Sequence, residues 1–230
     1  GTYPFVSTLL ALAGQARALL GATTKIAYAA DWTEYGAHVP AGTNDLDFPL
    51  DPVWAHPDVD AVGIDNYMPL SDWRDAHADG SNPDGAKSAV DLDALKAGIT
   101  SGEAYDWYYA GQNDRDASIR TPIVDGLAGK PWVFRPKDLR GWWENQHFAR
   151  AGGAENPIAT GWIPRSKPIW FTEFGCPAVD KGANQPNVFP DAKSASAALP
   201  WYSDGGRNDL MQNRFIQAHL EHWADVLKNP

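Results

Sequence analysis

Carboxylates follow short apolar runs at three places in this chain. The run Ile169, Trp170, Phe171 leads into Thr172 and Glu173 and stops at Gly175, Cys176 and Pro177, so it reads as a buried parallel strand with Glu173 at its carboxyl end. Strand ends of that kind open to solvent and substrate in parallel α/β folds. The other two places are Asp31 and Glu34 after a strand at 25–30, and Asp65, Asn66 and Tyr67 after a strand at 61–64. Retaining glycoside hydrolysis needs two carboxyls ~5 Å apart, one attacking the anomeric carbon and one protonating the leaving oxygen. An ordinary Glu, with a pKa of ~4.3, is anionic at neutral pH, so a nucleophile at such a position needs orientation, which the Tyr67 hydroxyl can supply. Each position also has a structural reading. Glu173 can hold a strand-end hydrogen bond, Tyr67 can plug a barrel top, and Asp31 and Asp65 are favoured as caps of the following helix or loop.

Other chemistries find little support. The six His are scattered, and His219 with His222 at i, i+3 lack the pattern of a metal site. The single Cys176 excludes an internal disulfide and a thiolate cluster, and reads as a small buried filler. No Gly-rich phosphate loop and no nucleophile elbow is present, so neither metal nor cofactor is expected. A net charge of −10 argues against nucleic acid and anionic membrane as partners, and no apolar run is long enough to span a bilayer. A neutral polysaccharide is compatible. Eleven Trp in 230 residues exceed what a core needs, and flat rings in a groove suit stacking on sugars. Trp32, Trp73 and a Trp from the middle of the chain are therefore expected beside Glu173 in one cleft. The chain starts at Gly1 without an initiator Met, as a segment of a longer protein would.

The elements that must position these residues alternate. Val6, Leu9, Leu10, Ala13, Ala16, Arg17 and Leu20 fall at helical spacing, with Pro4 in the first turn and Gly21 at the stop. The strands at 25–30 and 61–64 follow, with a helical turn at 52–55 between them. About a hundred residues then separate the second strand from the third, too many for a simple connection and too aromatic for disorder, so 68–166 is an ordered insertion. Within it a helix is predicted over 91–109, a short strand over 131–134 and a helix over 137–147 carrying Trp142 and Trp143. A loop rich in Pro, Gly, Asn and Ser spans 178–206, and a helix over 209–227, capped by Asn208, presents Ile216, Leu220, Trp223 and Leu227. This alternation is α/β with parallel strands, and three strands amount to part of a (β/α)8 barrel.

Longer stretches are more specific. Tyr28-Ala29-Ala30-Asp31-Trp32-Thr33-Glu34-Tyr35, the run from Val62 through Asp65-Asn66-Tyr67 to Trp73-Arg74, Pro131-Trp132-Val133-Phe134-Arg135, and the run from Lys167 through Glu173 to Phe189 together resemble the glycoside-hydrolase-like TIM-barrel domain of gene transfer agent and related phage tail host-specificity proteins. That barrel is similar in turn to retaining glycosidases of the β-mannanase type. The resemblance implies that residues 1–230 are one TIM-barrel segment, that its strands are the fifth, sixth and seventh, and that Glu173 is the nucleophile with Tyr67 orienting it. Trp32, Glu34, Asp65, Asn66 and Trp73 would contact substrate. It places the general acid at the end of a fourth strand upstream, so Glu34 is not the acid and this chain alone is expected to be inactive. Implied partners are a cell-envelope polysaccharide and other tail or baseplate subunits of a particle that assembles in the cytoplasm and is released. A non-catalytic carbohydrate-binding, host-recognition or structural tail module is the alternative.

Overall fold

The structure, a computed structural model, describes residues 3–126 and 128–229. Its elements are α1 (Pro4–Leu20), β1 (Ala27–Asp31), α2 (Asp51–Trp54), β2 (Ala61–Asn66), α3 (Leu92–Gly98), β3 (Trp107–Tyr108), α4 (Gln112–Asp116), β4 (Thr121–Pro122), α5 (Leu139–Glu144), β5 (Arg150–Ala151), β6 (Ala154–Glu155), β7 (Ile169–Phe174) and α6 (Asp209–Trp223). Residues 1–66 with 124–173 form one unit, and 67–123 with 174–230 form another. The stretch 68–166 thus contributes to both. Among the described residues no helix is long and apolar enough to cross a membrane.

In the first unit Pro4 opens α1, where a missing N–H costs nothing, and Gly21 closes it at φ 74°, its N–H donating to the Arg17 carbonyl. The predicted stripe is the one withdrawn from solvent: Ala13 is buried and Val6, Leu9, Leu10 and Ala16 are half-buried, although Leu20 is exposed. Arg17 ties the helix end to the sheet, donating to the Thr24 carbonyl and, at 2.6 Å, to Asp60. Asp60 also accepts from the Ile26 N–H and from Lys25, and these donors hold its carboxyl well below the usual range.

The main sheet has the order β1-β2-β7. β1 and β2 pair in parallel from Ala27 opposite Ala61 to Asp31 opposite Asp65. A side chain at Gly63 would put Cβ 2.3 Å from the Tyr28 carbonyl oxygen, so glycine is what lets the two strands lie in this register. On the other side the Val62 N–H donates to the Pro168 carbonyl and Thr172 Oγ1 donates to Asp65, contacts that advance in the same direction along β2 and β7. The three-stranded sheet is open. β2 is central and buried at every residue but Asp65. β7 corrects the expectation of a buried strand: none of its six residues is buried, and Trp170 is 40% exposed, because it is an outer strand with only one paired edge.

The 3-10 turn at Pro131–Phe134 replaces the predicted strand, since Pro131 cannot donate to a ladder and suits a first helical turn. The helix predicted over 137–147 is shortened to α5, capped by the Asp138 carboxylate, which accepts from the Gly141 N–H at 2.9 Å.

The second unit packs α3 on α6 around Leu70, Leu95, Ile99, Cys176, Ala183, Met211, Phe215 and Ala218. The helix predicted over 91–109 ends at Gly98, and Gly102 at φ 78° begins a turn that leads to the antiparallel pair β3 and β4. Stacked cations hold the following loops: Arg115 lies over Tyr109 at 4.4 Å and over Trp201 at 4.5 Å, and Arg74 over Tyr202 at 4.3 Å. The loop at 178–206 contains only a 3-10 turn at Gly182–Asn184, as expected. Asn208 caps α6, its Oδ1 accepting from the Met211 N–H. The buried face of that helix differs from the predicted one: Met211, Phe215, Ala218, His219 and His222 are buried, whereas Leu220 and Leu227 are exposed.

Candidate functional site

The strand ends supply the first group of polar residues. Asp31 and Asp65 are register partners at the carboxyl ends of β1 and β2. Asp31 Oδ1 accepts from the Thr33 N–H at 2.8 Å and from the Thr33 hydroxyl at 2.6 Å, the loop-capping arrangement favoured for it from sequence. Asp65 Oδ1 accepts from the Thr172 hydroxyl at 2.6 Å. Side chains alternate along a strand, so Thr172 lies on the Asp65 face and Glu173 on the opposite one. Glu173 is exposed, and Asn66, one residue beyond Asp65, is buried. Glu34 is exposed on the turn after β1.

The second group is aromatic. The loop after β1 and the segment 131–142 enclose a cleft of about 300 Å³ lined by Trp32, Tyr35, Trp132, Phe134, Arg135 and Trp142 among others. A hydrogen bond spanning 101 residues joins its walls: the buried Tyr35 hydroxyl donates to the Pro136 carbonyl at 2.8 Å. Burial pushes that phenol far above its ordinary pKa. Trp142 meets Tyr35 edge-on at 5.2 Å and Trp162 at 4.7 Å. Behind it His147 donates to the Trp142 carbonyl through Nε2 and is hydrogen-bonded to Asp51 through Nδ1, which fixes the α5 end that carries the indole. Arg135 lies 4.0 Å from Asp138, whose carboxyl burial raises above the usual range.

Trp32 and two tryptophans from later in the chain share the cleft, but Glu173, Asp65 and Asn66 are not among its lining residues. Trp73 is only 7% exposed; in the second unit its N–H donates to Asn184 and its carbonyl accepts from the same carboxamide, so its ring is core. Tyr67 begins that unit and meets Phe189 edge-on at 6.0 Å. Five of the eleven tryptophans, Trp54, Trp73, Trp107, Trp142 and Trp162, are buried, while Trp32, Trp132 and Trp142 line the cleft. Among the described residues no group of three or more His, Cys, Asp or Glu has the geometry of a metal site. Tyr35, Phe134 and Arg135 were visible in sequence as aromatic and basic loop residues, but nothing local paired them.

Among curated proteins none matches this chain. An open, parallel, α/β sheet with polar strand ends is consistent with part of a barrel, and the family comparison agrees. The chain belongs to the GTA (gene transfer agent) TIM-barrel-like domain family, whose model matches residues 1–230.

Proposed function

We propose that this domain serves a phage-like gene transfer particle by engaging cell-envelope polysaccharide, and that Glu173 is the nucleophile of a retaining hydrolysis. The observation that carries the reading is the placement of Glu173: an exposed carboxylate at the carboxyl end of a strand in a parallel sheet, one residue beyond the Thr172 that is bonded to Asp65. In this mechanism the carboxylate attacks the anomeric carbon, the leaving oxygen takes a proton from a second carboxyl, and water releases the covalent glycosyl ester. In this reading Tyr67 keeps the role that the family resemblance implies for it, orienting the nucleophile. Other tail or baseplate subunits hold the domain in the particle. A binding module without turnover is the second reading, favoured by the aromatic cleft, which Glu173 does not line.

The test is release of reducing ends from purified cell-envelope polysaccharide by the protein that carries this domain, beside its Glu173→Gln variant. Hydrolysis with retained anomeric configuration, lost in Glu173→Gln while polysaccharide binding persists, is the expected result. Binding without hydrolysis in either protein supports the second reading, and hydrolysis unchanged in the variant removes Glu173 from the mechanism.

A further inference from the structure

The cleft between the 32–39 loop and the 131–142 segment is lined mainly by aromatic rings, with Thr33, His38 and Arg135 among its polar residues. Its flat walls come from Trp32, Tyr35, Trp132, Phe134 and Trp142, and its volume of about 300 Å³ is at the small end of the range for small-molecule sites. The indole nitrogens of Trp32 and Trp142 are buried donors without a hydrogen-bond partner among the described residues. Trp142 is only 2% exposed. Arg135 adds a guanidinium, the Tyr35 hydroxyl already donates to the Pro136 carbonyl, and no carboxylate is among the described lining residues. A site with aromatic faces, spare N–H donors and no carboxylate acceptor suits a ligand that brings flat apolar faces and its own acceptor oxygens.

We infer that this cleft binds a pyranose sugar carrying an acyl oxygen, either a ring carboxylate or an acetamido carbonyl, with that oxygen directed to the Trp32 and Trp142 indole N–H groups. Gly36 is part of the reason. It lines the cleft, and a Cβ there would lie 3.6 Å from Trp142 Cδ1 and 3.7 Å from Nε1, against the edge that carries the donor. Trp142 is otherwise held by Tyr35, Trp162 and the His147 bond to its carbonyl, which keeps its edge oriented before the ligand arrives. Glu173 is not among the lining residues of this cleft, whose occupancy needs no turnover.

The experiment is a titration of the 15N-labelled chain with three disaccharides: digalacturonate, N,N′-diacetylchitobiose and cellobiose, the last lacking an acyl oxygen. The Trp32 and Trp142 indole N–H resonances, assigned through Trp32→Phe and Trp142→Phe, should shift saturably with at least one of the first two, which identifies the acyl group as carboxylate or acetamide. Cellobiose should bind at least about tenfold more weakly, a difference of ~1.4 kcal/mol. Trp32→Phe, which keeps a ring and loses the donor, should weaken binding about tenfold, and Gly36→Ala should do so without moving the unfolding midpoint, since its Cβ makes only ordinary contacts. Absence of shifts with both acyl sugars, equal binding of cellobiose, or unchanged affinity in both variants would overturn the inference. Loss of hydrolysis in the Glu173 assay would not touch it, because binding here is read without turnover.

Discussion

Replacing His147 should remove the support of the aromatic cluster behind the cleft. The ring is fully buried; Nδ1 lies 2.9 and 3.0 Å from the two Asp51 oxygens, and Nε2 donates to the Trp142 carbonyl at 2.8 Å. Both ring nitrogens therefore have an oxygen partner inside the core. Thr160 gives the same carboxylate a hydroxyl donor. Phe48 stacks on the ring at 4.4 Å and Trp162 at 5.6 Å, so the imidazole is also packed between two aromatic faces. His147→Leu leaves Asp51 buried with one hydroxyl donor and takes away the Trp142 carbonyl's donor. Breaking a buried pair from one side costs ~3–5 kcal/mol. For a chain of this length that is on the order of 10 °C in Tm. Asp51→Leu should cost a similar amount. The double replacement removes both partners at once and should fall short of the sum of the singles by about 2 kcal/mol or more. Urea unfolding read by near-UV circular dichroism follows the packed Trp142 and Trp162 directly. A His147→Leu cost below about 1 kcal/mol, or strict additivity of the two singles, would refute the reasoning and reduce the pair to filler.

Three further outcomes are expected. Arg150 holds the Asp125 carboxyl well below the usual range through bonds of 2.7 and 3.0 Å, with the Lys130 N–H helping. A depressed folded value gives stability that is complete above the unfolded value of ~3.9 and is lost as pH falls below it, so Asp125→Asn should be less stable at pH 7 and have a flatter acid limb in urea titrations between about pH 4 and 2. Equal slopes would remove this pair from the acid response. Burial pushes the Cys176 thiol up to about 12, so at pH 8 an aromatic disulfide reagent should label it only on unfolding, and rapid native labelling would contradict the packing. A Cβ at Gly98 would lie 2.2 Å from the Leu70 carbonyl oxygen, so Gly98→Ala should cost ~1–3 kcal/mol or more in thermal melts, and an unchanged midpoint would mean that α3 can shift freely.

Sequence reading located what local pattern encodes. Pro4, Gly21 and the 3.6-residue stripe between them define α1, and apolar runs ending in polar residues mark β1, β2 and β7. It could not tell an outer strand from a central one, because Ile169, Trp170 and Phe171 read the same whether one edge or two are paired. The face of α6 was misjudged for a similar reason. His219 is buried beside Phe174 and Phe215, while Leu220 points to solvent, and residue type alone ranks these the other way. The cleft was out of reach because its walls come from residues such as Tyr35 and Pro136, brought together across 101 positions. The two-residue pairs β3 with β4 and β5 with β6 are too short to leave a period.

The alternation along β7 narrows the chemistry that remains open. Thr172 reaches Asp65, and Asp65 is in register with Asp31, so these three side chains share one face of the sheet. Glu173 is on the other face. A retaining pair needs its two carboxyls ~5 Å apart and converging on one sugar, which side chains divergent from neighbouring strands do not achieve. Asp31 and Asp65 are therefore poor proton donors for an attack by Glu173, and both already accept hydroxyl hydrogen bonds that hold them in place. If Glu173 proves to be the nucleophile, its acid must approach from the Glu173 side of the sheet. Asp65→Asn should then leave the pH profile of hydrolysis unchanged while loosening the end of β7 through the Thr172 contact, and loss of the acid limb in that variant would assign the proton to Asp65 after all.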